Sequence, residues 1–164
     1  MKKITLIFFM SLLSLGAYAQ LAKEGFESWP PAGWVIDDNG IGLANSWIQS
    51  NATAAQPAFE GTYAAYINRE TVIGIAEDWL ITPAFNVPVN PNLKFYSRLT
   101  TPNDDGTMYR VMIIDGGDDP SDPANYELVE EWTELTINPS QQEYVQKIVE
   151  LAAEYVGTSV RLAF

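Results

Sequence analysis

The chain has 164 residues, with 21 Asp and Glu against 9 Lys and Arg, no histidine and no cysteine. A formal net charge of −12 works against the basic face that phosphate backbones and anionic bilayers require, which disfavours nucleic acid and anionic membrane surfaces as partners. The missing residue types remove Ser-His-Asp and Cys-His catalysis and zinc sites built on nitrogen or sulfur, while 47% hydrophobic and 12% aromatic residues separate the chain from disordered compositions.

Met1-Lys2-Lys3 is a basic start, Ile4 to Leu15 is apolar apart from Thr5, Ser11 and Ser14, and Ala17-Tyr18-Ala19 is a small-x-small cleavage pattern. Residues 1–19 therefore read as a secretory signal peptide. Its removal leaves residues 20–164 as a single domain, takes Lys2 and Lys3 with it and moves the net charge from −12 to −14. The product is expected to be secreted, extracellular or attached to a cell surface, with no membrane insertion after signal cleavage. Export without cysteines points to a bacterial protein rather than a disulfide-stapled animal domain.

The remaining sequence alternates turn formers with short runs rich in Val, Ile, Tyr, Phe and Trp, the pattern of many short strands. Weak strands are expected around Gly33–Ile36, Ser46–Ser50, Thr62–Ile67 and Asp78–Thr82. Asn92 to Leu99 is the clearest: Leu93, Phe95, Ser97 and Leu99 share one face, and Asn92, Lys94, Tyr96 and Arg98 the other. Thr107 to Asp115 is apolar on both faces apart from Arg110 and reads as a central, doubly covered strand. Between these two, Asn103-Asp104-Asp105-Gly106 has hairpin-loop chemistry. Strands follow at Glu127–Trp132 and Glu143–Glu150, where β-branched Val145, Ile148 and Val149 favour a strand over a rival helix from Tyr144 to Tyr155. Leu151 to Val156 suits one or two helical turns stopped by Gly157, and Thr158 to Phe164 closes the set. Short strands of this kind need two packed sheets, so the fold class is all-β, a sandwich of two antiparallel sheets with little helix.

Two features carry binding chemistry. The loops at Asp37-Asp38-Asn39-Gly40 and Asp115 to Pro123 are acidic and Gly-rich, the composition of a Ca2+ site and equally of a plain Asx turn. The five tryptophans include four in expected strands, which read as core, and Trp29 beside Pro30-Pro31, which reads as a surface ligand-binding residue. Asn51-Ala52-Thr53 matches a glycosylation sequon, a chance match in a bacterial chain. A carboxylate-pair glycosidase is chemically open, since acids are plentiful.

Several segments together resemble the cleaved-adhesin or choice-of-anchor J domains, the adhesin regions of gingipain-type secreted bacterial proteins. They are Glu24-Gly25-Phe26-Glu27 with Pro30-Pro31-Ala32-Gly33-Trp34, then Trp47, Gly61-Thr62-Tyr63-Ala64-Ala65, Asp78-Trp79-Leu80-Ile81-Thr82-Pro83, and Ile148 to Phe164. The resemblance implies a jelly-roll sandwich that is non-catalytic and recognises host protein or glycan. It equally allows an accessory domain of a larger secreted peptidase or glycan-degrading enzyme. It places motif acids at Glu27 and Asp78, which with Asp37 and Asp38 become the metal candidates for structural Ca2+. The family's acidic loop carries one acid more than Asp37-Asp38-Asn39-Gly40-Ile41-Gly42, and the family continues into a further strand, so this jelly roll is expected to lack its last strand.

Overall fold

The computed structural model of the protein describes residues 23–42, 47–69 and 73–164. The signal-peptide reading of residues 1–19 and the start of the second expected strand at Ser46 lie outside the described residues. Ten strands are described: β1 Val35–Asp38, β2 Ile48–Gln49, β3 Ala65–Tyr66, β4 Asp78–Ile81, β5 Phe85–Asn86, β6 Asn92–Ser97, β7 Met108–Asp115, β8 Glu127–Thr133, β9 Val145–Glu150 and β10 Ser159–Ala163. One short helix, α1 Glu134–Ile137, and two 3-10 turns complete them. The protein is an all-β sandwich of antiparallel sheets.

The main sheet runs in the order β1-β4-β10-β7-β8, with β5 also paired to β10. β4 and β5 form one line along β10, broken by Pro83, which has no N–H to give to a ladder. The Thr82 hydroxyl repairs the break by accepting from the Leu162 N–H at 2.9 Å, while Thr82 N donates to Leu162 O at 2.8 Å. Gly33, at φ +78°, sits in the turn closed by Trp34 N to Pro31 O. That turn delivers the chain into β1, which pairs in register with β4.

β7 and β10 have apolar side chains on both faces. Val111, Ile113, Val160 and Leu162 point to one side, joined by Val87 and Leu151. Ile114 and Ala163 point to the other, with Ile81, Tyr126 and the half-buried Trp79, Met112 and Val35. The second layer over the first face is β6-β9, paired along all six residues of each strand. Its Phe95 ring meets Trp132 at 5.9 Å and Phe164 at 5.7 Å, both edge-to-face, and Leu93 packs beside it. β2-β3 is a separate two-stranded sheet.

The expected strands are recovered, β9 as strand rather than helix, and Gly157 at φ +82° follows a 3-10 turn at Ala153–Tyr155. The hairpin expected at Asn103–Gly106 is a correction. β6 pairs with β9, and β7 pairs with β8 and β10, so this loop crosses between layers. The cause is burial: both sides of β7 are taken by β10 and β8, and Leu93 and Phe95 leave water by facing the main sheet from above. Phe85–Asn86 and Glu134–Ile137 were not expected. The first spans two residues, and the second is one helical turn whose Thr133 cap exchanges hydrogen bonds with Thr136.

Leu162, 2% exposed between the layers, is the test of this core. Leu162→Ala should destabilise by about 2–5 kcal/mol, whereas Ile148→Ala, on the outer face of β9, should stay within about 0.5 kcal/mol. Urea unfolding of both variants checks the difference.

Candidate functional site

The acids nominated as metal ligands occupy different places. Glu27 reaches a loop far along the chain. Its Oε1 accepts from the backbone N–H of Thr62 at 2.7 Å and of Tyr63 at 3.2 Å, and these bonds hold its carboxyl below the ordinary 4.5. A side chain at Gly61 would run into that carboxylate, and Gly61 already sits at φ +78°. Asp38 and Asp78 are direct cross-strand partners in β1 and β4, with Asp37 opposite Trp79. Asp37 Oδ1 accepts from Asp38 N, and Asp38 Oδ1 accepts from Gly40 N. Among the described residues no three acids converge on a point where a metal ion would sit. Ca2+ takes six to eight oxygens, and Glu27, Asp37 and Asp38 each give one carboxylate oxygen to backbone N–H groups.

The other acidic loops use the same chemistry. Asp104, Asp115, Asp119 and Asp122 each accept from a backbone N–H two residues on, the Asx-turn alternative. The Ser121 N–H and hydroxyl together hold the Asp119 carboxyl below its ordinary value. Glu134, 6% exposed, fixes the interlayer loop by accepting from Asp105 N and Gly106 N. Burial, then the neighbouring Glu134 and Asp105, push the Tyr109 hydroxyl up to about 12. Asn51 Oδ1 accepts from both the N–H and the hydroxyl of Thr53, so the sequon residues form a local turn.

Trp29, the surface candidate, is half-buried. Its ring stands 6.1 Å from Phe26, which meets Trp34 edge-to-face at 5.7 Å. A cis peptide bond joins Trp29 to Pro30. The ring belongs to a packed aromatic trio near the entry to β1.

A different surface gathers exposed apolar groups. The inner face of β6-β9 is spent on the core, so the outer face carries Asn92, Lys94 and Tyr96 from β6 and Gln146, Ile148 and Glu150 from β9. Phe59 lies flat on Tyr96, with ring centroids 3.6 Å apart and planes at 12°, and touches Tyr144 edge-to-face at 5.4 Å. Despite this stacking Phe59 is 48% exposed, Tyr96 42% and Ile148 56%. Gln146 Nε2 donates to Tyr96 Oη at 2.9 Å, so the tyrosine hydroxyl keeps its own proton to donate. Tyr144 Oη donates to Pro57 O at 2.6 Å, and Arg98 donates to Gln142 O at 2.6 Å and Ala55 O at 3.1 Å, which pins the Phe59 loop to the end of β6. Asn138, fully buried, donates to Ser97 O and Glu143 O and ties β6 to the entry of β9.

A dent of ≈ 40 Å³ opens beside this face, lined by Arg98, Tyr144, Tyr66 and Gln56 among others. It is far below the roughly 300–1,000 Å³ of a small-molecule site. Tyr96, Lys94 and Arg98 were legible as an outward strand face. Phe59 was not, because it lies outside any alternating run, and its pairing with Tyr96 spans 37 positions of sequence.

Glu27→Ala should lower the melting temperature at pH 7. A depressed carboxyl contributes stability above the ordinary 4.5 and loses it as pH falls through the folded value, so the gap between variant and wild type should close in acid. Gly61→Ala should weaken the same clamp at all pH values, by about 1 kcal/mol or more from its positive φ. Thermal melts from pH 7 to pH 3 check both.

Comparison of the chain with protein-family models, with curated proteins and with solved structures returns no match, so function has to be read from the chemistry of this face.

Proposed function

We propose that the chain is a secreted, non-catalytic, adhesin-like binding module that recognises protein or glycan on a host cell surface through the outer face of β6-β9. The observation that carries this is the exposed Phe59–Tyr96 stack beside Ile148, held in place by Arg98 and Tyr144. Exposed apolar groups gathered on one rigid face favour association, and aromatic anchors dominate binding energies where they occur. A pinned loop on a sheet loses little entropy on binding, which adds to affinity.

Non-catalytic action is supported by the residue inventory and by the direction of the carboxyl shifts. The chain has no histidine or cysteine. Glu27 and Asp119 are shifted down by backbone N–H groups, opposite to what a general acid needs at neutral pH. The resemblance to cleaved-adhesin domains supports the same assignment.

Phe59→Ala and Tyr96→Ala should each weaken binding to a glycan array or to intact host cells by about tenfold or more, with far-UV circular dichroism unchanged. Trp29→Phe should leave binding unaltered. Unchanged binding in both alanine variants would remove the assignment of this face.

A further inference from the structure

The basic residues of this acidic chain are distributed unevenly. Lys23 pairs with Glu60, Arg69 with Asp105, and Arg110 with Glu131 at 2.6 Å and Glu77 at 4.0 Å. Lys147 and Arg161 donate to the backbone carbonyls of Thr136 and Thr82. Like these two, Lys94 and Arg98 have no carboxylate within ion-pair distance among the described residues, but they stand on the outer side of β6-β9, where Lys147 does not. Lys94 is exposed, and Arg98 uses Nε and Nη1 on carbonyl oxygens, leaving Nη2 over.

Both stand on the face just described. Positions 94, 96 and 98 alternate along one strand line, so Lys94 and Arg98 flank Tyr96 on the same side, about 13 Å apart at the backbone. The ladder's acid on this face is Glu150, the diagonal neighbour of Lys94 opposite Asn92, and it forms no ion pair with Lys94. An exposed ring with hydrogen-bonding edges thus lies between two cations that have no acid partner, on a protein of net charge −12.

We propose that the ligand of this face is a carboxylate-bearing glycan, a short sialylated or uronic-acid branch. This rests on the assignment of the face as the binding surface and adds the ligand's charge. A pyranose has an apolar C–H face for Phe59 and hydroxyls for Asn92, Gln146 and the Tyr96 proton. Its carboxylate then meets Lys94 or the free Arg98 nitrogen, a charge-assisted contact. An acidic peptide fits less well on the face itself: extended peptides bind by adding to a sheet edge, and the outer edges of β6 and β9 lie beside this face, which offers only side chains. Long polyanions are disfavoured too, because beyond a Debye length of about 8 Å they meet the acidic remainder of the surface.

The test is an array of sialylated and uronate glycans, each beside its desialylated or carboxyl-reduced parent, probed with wild type, Lys94→Gln, Lys94→Glu and Phe59→Ala. Wild type should bind acidic members at least tenfold more tightly than their neutral parents. Lys94→Gln should erase most of that preference, and Lys94→Glu should reverse it. Phe59→Ala should weaken both classes. Equal binding of acidic and neutral members, with Phe59→Ala still harmful, would overturn the charge assignment and leave the face intact. Binding indifferent to all three substitutions would overturn both, as would preference for an acidic peptide spotted on the same array overturn the glycan assignment.

Discussion

The structure depends on two strands that are apolar on both sides. β7 and β10 lie within the main sheet and point Val111, Ile113, Val160 and Leu162 one way and Ile114 and Ala163 the other. One sheet cannot keep two apolar faces out of water, so a second layer is compulsory on at least one of them. β6-β9 supplies it, and Phe95 is its wedge, edge-on to Trp132 from β8 and to Phe164 beyond β10. The other face is closed differently: Tyr126, whose hydroxyl donates to Pro120 O at 2.8 Å, leans its ring on Trp79 at 5.0 Å. The candidate face follows from this division, because a two-stranded layer with a buried inner side has only its outer side to present.

The acidic residues serve the backbone. Loops that cross between layers or turn sharply expose N–H groups with no ladder partner, and such donors must be satisfied. Asp104, Asp115, Asp119 and Asp122 do this two residues away, Glu27 and Glu134 across about 30 residues of sequence. A carboxylate accepting two N–H groups is a strong, directional fastener. In a chain free of cysteine these fasteners hold loops that would otherwise be loose. The same composition suits calcium as well, because a cation and a cluster of N–H groups both call for oxygen acceptors in Gly-containing turns.

The layer scheme was legible because it rests on local alternation. Asn92 to Leu99 and Thr107 to Asp115 show in sequence which side chains need burial, and β-branched Val145, Ile148 and Val149 decide strand over helix. What was not legible depends on distance along the chain. The pairing of β6 with β9 rather than β7 is a choice between partners that each satisfy local chemistry, decided by which arrangement covers Leu93 and Phe95. The Phe59–Tyr96 stack is hidden for the same reason. Trp29, beside two prolines, is half-buried, and Phe26, three positions earlier at φ +60°, turns its ring toward both Trp29 and Trp34.

These points bear on why a binding surface would sit on β6-β9 and not on the loops. In the acidic loops Asp38, Asp104, Asp115, Asp119 and Asp122 each give a carboxylate oxygen to a backbone N–H two residues on. On the outer face of β6-β9 the geometry is reversed. The backbone is already satisfied by the ladder, so Lys94, Tyr96 and Gln146 have no main-chain duty and stay available to a partner. Arg98 stands between the two regimes, giving two nitrogens to the fold and keeping one. Where the main chain makes no demand on side chains, their chemistry is free for recognition, and here Lys94 and Arg98 share the face, neither paired to a carboxylate among the described residues.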